Sequence, residues 1–98
     1  MYKVEDKRLV EMLSALGHIY RLRILTALTE EEKYLSQIAK EVGISRALAS
    51  IHLKKLIEAD LVKTRVILLE DEAKALRYYK LNNFHIELSS EELKNRKR

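Results

Sequence analysis

YLSQIAKEVGISRALASIHLKKLIEADLV, residues 34–62, reads as two helices joined by a tight turn and followed by the start of a strand. Leu35, Ile38, Ala39 and Val42 recur at helical spacing. Gly43 breaks that pattern where the chain must reverse, and glycine reaches left-handed dihedrals without a Cβ clash. Ser45 is placed to accept a hydrogen bond from the first exposed amides of the next helix. That helix, about residues 45–58, carries Ala49, His52, Leu53, Leu56 and Ile57 on one stripe. Arg46, Ala47, Ser50, Lys54 and Lys55 fall around the other side. A basic outer face with small side chains, set after a glycine turn, suits a helix that enters a DNA major groove.

Outward from this unit the chain continues the pattern on both sides. Glu5–Leu16 carries Leu9, Met12, Leu13 and Leu16 on one helical face, and Gly17 interrupts it. His18–Leu28 resumes with Ile19, Leu22, Ile24 and Leu25, and its Arg21 and Arg23 read as a solvated face, with a phosphate contact as the alternative. Thr29–Lys33 is a polar connector, and its crowded glutamates are unfavourable at a helix C-terminus. Downstream, Leu61–Leu69 is β-prone, with Val62, Thr64, Val66 and Leu68 alternating with Lys63 and Arg65. Glu70, Asp71 and Glu72 make an acidic tip, and Lys74–Leu81 returns as a second strand in which Tyr78 and Tyr79 take opposite faces. Ser89, three residues before Glu92, is a capping box for a short last helix that runs into the basic tail Lys94–Arg98. The order predicts a mainly α fold with a small β-hairpin wing, a winged helix-turn-helix. It is read as one domain over residues 1–98, with dimerisation helices at its two ends.

Composition narrows the function. The 98 residues contain no cysteine, so disulfides and thiolate metal sites are excluded. No apolar run approaches a membrane span, and MYKVEDKRLV is too charged for a signal peptide, which predicts a cytoplasmic protein. The net charge of +4 is compatible with nucleic acid. There is no glycine-rich phosphate loop and no nucleophile with a partnered base, so no enzyme activity and no cofactor are expected. No metal site is expected either: His18 and His85 are distant in sequence from each other and share no ligand spacing. His52, on an apolar stripe, reads as a packed, hydrogen-bonded histidine rather than a ligand.

Several stretches together resemble the ArsR-type family of bacterial and archaeal transcriptional regulators. Ala15–Leu25, with its Arg21-Leu22-x-Ile24-Leu25 core, looks like that family's helix preceding the reading unit. Ser50-x-His52-Leu53-Lys54-x-Leu56 and Ala59-Asp60-Leu61-Val62 are similar to its recognition helix and strand entry, and Arg77-Tyr78-Tyr79-x-Leu81 to its returning wing strand. The resemblance covers about residues 9–88. It implies a homodimer whose first and last helices pair, two recognition helices reading a pseudo-palindrome, and repression relieved in many members by an effector. This chain departs from the pattern at Arg46-Ala47-Leu48, where glutamine and serine are common, and at Ile51, where arginine is common. It also lacks the cysteine motifs of metal-sensing members. Its base preferences are therefore its own.

The expected function is sequence-specific binding of double-stranded DNA by a homodimeric transcriptional regulator, a repressor by family resemblance. Ser45 caps the reading helix, and Arg46 is the foremost candidate for a base contact, with a phosphate contact or plain exposure as its alternatives. Ala47 is placed for a thymine methyl, Ser50 for base or phosphate, and Lys54 and Lys55 for phosphate. The acidic wing tip would be repelled by phosphates, which leaves Lys63, Arg65, Lys74 and Arg77 on its flanks. Leu9, Met12, Leu13 and Leu16, with Leu88 and Leu93, are read as the dimer seam. The residues name no effector. Two other functions fit the same chain: an architectural coat indifferent to DNA sequence, and a winged helix used only to bind protein.

Overall fold

The computed structural model describes residues 5–69 and 74–97. Helix α1 (Asp6–Leu16) is followed by α2 (Ile19–Ala27), a short strand β1 (Lys33–Tyr34), α3 (Leu35–Val42) and α4 (Arg46–Glu58). Strands β2 (Val62–Leu69) and β3 (Lys74–Leu81) then form a hairpin, and α5 (Ser90–Arg96) closes the chain. The acidic tip Glu70–Glu72 lies outside the described residues.

The four central helices meet because each offers one apolar stripe and none can bury it alone. Met12 and Ala15 of α1, Ile24 and Leu25 of α2, Ile38 of α3, and Leu53 and Leu56 of α4 share one core. Leu61, Val62 and Tyr79 extend that core under the base of the hairpin. Ile24, Ile38, Leu53, Leu56, Leu61 and Val62 are essentially inaccessible, so each contributes about 1.5–3 kcal/mol by leaving water.

Strand β3 is central, with β2 on one side and β1 on the other, all antiparallel. The pairing runs from Val62 opposite Leu81 to Leu69 opposite Lys74. The connector Thr29–Lys33 therefore ends differently from its reading as polar linker: Lys33 and Tyr34 pair with Tyr79 and Tyr78. Two residues carry no periodicity, and their partner lies some 45 positions downstream, so only the tertiary fold creates this strand. The alternation Val62, Thr64, Val66, Leu68 also behaves differently along its length. Val62 is buried, but Val66 is half-exposed and Leu68 is 76% exposed, because the hairpin extends beyond the helices that cover its base. As expected, the tyrosines divide: Tyr79 enters the core, while Tyr78 rests against Tyr34 at 5.2 Å between ring centres.

Candidate nucleic-acid interface

Both ends of α4 are held by backbone geometry. At its entry Gly43 sits at φ 81°, and the Ile44 N–H donates back to the Ala39 carbonyl at 3.0 Å. Ser45 then caps the helix, its Oγ accepting from the Leu48 N–H at 3.0 Å. At its exit Asp60 takes the left-handed conformation that glycine usually fills (φ 59°), and the Leu61 N–H reaches the Leu56 carbonyl at 2.9 Å. Asn82 stabilises this turn by donating from Nδ2 to the Asp60 carbonyl at 2.9 Å and to Oδ1 at 3.3 Å. The helix is thus fixed in direction before anything binds it.

Around α4 the buried stripe is Ala49, His52, Leu53 and Leu56. Ile57, assigned to that stripe in the sequence, is instead 38% exposed at its edge. At about 3.6 residues per turn, the positions directly opposite are Ala47, Ile51, Lys54 and Glu58, all exposed. Arg46 and Ser50 lie on one flank, where Arg46 shares a cleft of about 470 Å³ with Ser36, Gln37 and Lys40 of α3. Lys55 lies on the other flank and lines a separate cleft with Arg21, Glu11 and Ser14. Arg46, Ser50 and Lys54 therefore belong to one surface, and Lys55 faces away from it toward α1 and α2. No ion-pair partner for Arg46, Lys54 or Lys55 exists among the described residues.

Sequence reading passed over Ser36, Gln37 and Lys40, which extend this surface across α3, and marked Ile51 only as a departure from the family pattern, not as part of the surface. The signal for Ile51 was present in the spacing of Ala47, Ile51 and Lys54. The α3 residues had no such signal, because only the packing of α3 against α4 brings them alongside.

The wing flanks divide. Lys63 and Arg65 project from one face of the hairpin, whereas Arg77, paired with Val66, projects from the other. Lys74 stands opposite Leu69 at the far end. Arg65 is already engaged: its guanidinium pairs with Glu32 through both Nε and Nη2, and lies 5.5 Å from the centre of the Tyr78 ring. The hydrogen bond from Arg65 holds the Glu32 carboxyl below the usual carboxylate range, and Glu32 in turn raises Arg65.

A further difference lies beneath α4. His18 and His52, 34 positions apart in sequence, meet with ring centres 4.4 Å apart and planes tilted by 47°, and Tyr20 meets His52 edge-on at 5.8 Å. His18 caps α2, its Nδ1 accepting the Tyr20 N–H at 3.1 Å. His52 is packed as expected, yet its buried Nδ1 has no hydrogen-bond partner among the described residues. Burial, then the charges of His18 and Arg21, hold the His52 imidazole below its ordinary range. Among the described residues no group of three or more metal-ligating side chains forms.

At the opposite end, Arg96 of α5 pairs with Asp6 of α1, bringing the first and last helices together. Leu9 and Met12 do not serve this surface. They are buried in the protomer's own interior, because a four-helix core this small requires that stripe of α1 for itself. Of the residues read as a seam, Leu13, Leu88 and Leu93 remain exposed, as does Val10 of α1 at 64%; Leu16 is half-buried against the core. No described helix is long and apolar enough to cross a membrane.

Residues 20–64, from α2 through α4 into β2, match the family model described as bacterial regulatory protein, arsR family. An uncharacterized HTH-type transcriptional regulator of Methanocaldococcus jannaschii is 35% identical over 85 residues, 87% of each chain. This chain belongs to the arsR family. Its fold is shared with solved structures described as transcriptional regulators. The transcriptional repressor BigR of Xylella fastidiosa superposes with a TM-score of 0.66 at 25% identity, over 79% of this chain and 72% of that one. The homodimeric winged helix-turn-helix DNA-binding domain of a possible ArsR-family regulator from Mycobacterium bovis gives 0.64 at 25% identity, over 83% and 75%. In this arsR-family chain, α3 and α4 are the helix-turn-helix and β2–β3 the wing.

Proposed function

We propose that this regulator binds a specific double-stranded DNA site in the cytoplasm as a homodimer and represses transcription there. The carrying observation is the outer face of α4, where Arg46, Ser50 and Lys54 are exposed on a capped helix and the two cations have no ion-pair partner among the described residues. Arg46, one residue after the cap, forks onto a guanine edge, and Ser50 follows one turn later. Lys54 and the α3 residues Ser36, Gln37 and Lys40 meet phosphate, which positions the helix without specifying sequence. Lys63 and Arg77 supplement this from the wing.

The dimer reading rests on α5, which has no buried residue within the protomer, is tied to α1 by the Arg96–Asp6 pair, and leaves Leu93 exposed as α1 leaves Leu13 and Val10. Pairing these helices across a two-fold axis sets two copies of α4 in successive major grooves, about 34 Å apart. The repressor and homodimer assignments are supported by the description of BigR as a repressor and of the Mycobacterium bovis domain as homodimeric.

The test is fluorescence anisotropy with the duplex the protein selects from a random pool and with a scrambled one, at several salt concentrations. A preference of about a thousandfold that persists at physiological salt is expected. Equal affinity with a steep salt slope would replace this reading by a sequence-indifferent coat. Light scattering should give twice the 11.5 kDa chain mass.

A further inference from the structure

Along the centre of the α4 outer face, the N-terminal part is apolar and the C-terminal part, Lys54 and Glu58, is charged. Ala47 and Ile51, one turn apart, lie opposite the buried stripe, and Ile51 is 58% exposed between Ser50 and Lys54. A single exposed aliphatic residue is ordinary on a protein surface. Three features set this one apart. It stands on the axis of the face rather than at the edge of the core. Ala47 continues its apolar surface toward the N-terminal end of the helix, the end that reaches base edges. Arg46 and Lys54, neither with an ion-pair partner among the described residues, bracket it along the helix.

Most of what a base pair presents in the major groove donates or accepts hydrogen bonds; the thymine C5 methyl is the apolar exception. A branched aliphatic side chain pressed onto a polar edge would strip its water and return no hydrogen bond. Against a methyl it removes apolar surface from water on both sides. We propose that Ile51, backed by Ala47, is a specificity-determining residue that packs against a thymine C5 methyl in each half-site. This rests on the sequence-specific reading above and adds to it one base identity at the middle of each half-site.

The test replaces each thymine of the selected duplex, one at a time in both half-sites, by deoxyuridine, which removes only the methyl. The pool is synthesised without methylated cytosine, so thymine is the sole source of that group. For the wild-type protein, one position should weaken binding about fourfold per half-site, the equivalent of burying one methyl group. In Ile51→Ala the thymine-to-uracil ratio at that position should fall close to one, while Ile51→Val should keep most of it. Ile51 is exposed, so neither substitution threatens the core, and the uracil series on wild-type protein needs no variant at all. If no thymine position is sensitive in the wild type, or if Ile51→Ala keeps the wild-type ratio, the proposal is overturned while specific binding stands. A pool that yields no preferred sequence would overturn both.

Discussion

The outer face of α4 and the flank of the wing carry the same kinds of side chain, yet they differ in what those side chains are doing before DNA arrives. Arg46 and Lys54 stand on a capped helix with no ion-pair partner among the described residues. Arg65, on β2, is held by Glu32 and rests over Tyr78. A phosphate approaching Arg65 must displace a carboxylate, whereas one approaching Lys54 displaces only water and counterions. The availability of a cation for a ligand is therefore a property of its neighbours.

The difference is open to attack at several strengths. Arg46→Ala should weaken the selected duplex by roughly tenfold to a hundredfold, the range of one bidentate guanine contact, with a smaller loss on scrambled DNA. Equal losses on both, measured by anisotropy, would make Arg46 a phosphate contact. Lys54→Ala should weaken both duplexes alike and reduce the salt slope by about one unit. Glu32→Gln should release Arg65 and steepen that slope by up to about one unit, whereas Arg65→Ala should change affinity little. A large loss in Arg65→Ala would mean that the Glu32 pair breaks on binding and that the two regions are alike.

Acid separates the regions along another axis. His52 on the inner face of α4 is held below its ordinary value, so the unfolded chain takes up a proton more readily than the folded one. The stability this group contributes is complete above about pH 6.5, the ordinary imidazole value, and is lost as pH falls from there toward the folded value. Glu32 is held low, so its contribution is complete above the ordinary carboxylate value and persists through that window. Melting temperatures from circular dichroism between pH 7.5 and 5 should fall in the wild type, and less steeply in His52→Phe. Parallel curves would exclude His52 as the responsible group.

What could be read directly was what local rules govern. The spacing of Leu35, Ile38, Ala39 and Val42, the left-handed turn at Gly43 and the cap at Ser45 specify a helix-turn-helix within a dozen residues of each other. The hairpin was equally legible from β-branched alternation interrupted by a charged tip. The reading of α4 as a groove helix followed from side-chain type, since helical period alone sets Arg46 and Ser50 on one flank and Lys54 next to it on the outer face.

Other features depended on elements far apart in sequence. The αL turn at Asp60 carries no glycine and is secured by Asn82, 22 residues later. β1 exists because β3 offers its edge, and His18 meets His52 because α2 crosses under α4. The stripe of α1 was read correctly as apolar but could not be apportioned. Leu9 and Met12 turn inward while Val10 and Leu13 stay out, because helical period identifies a face and only the neighbouring helices decide which part of it they cover. Local sequence thus determined the helix-turn-helix and the side chains it exposes. Tertiary packing decided which of its charges are available, which of its apolar residues are core, and that an isoleucine occupies the centre of the surface facing out.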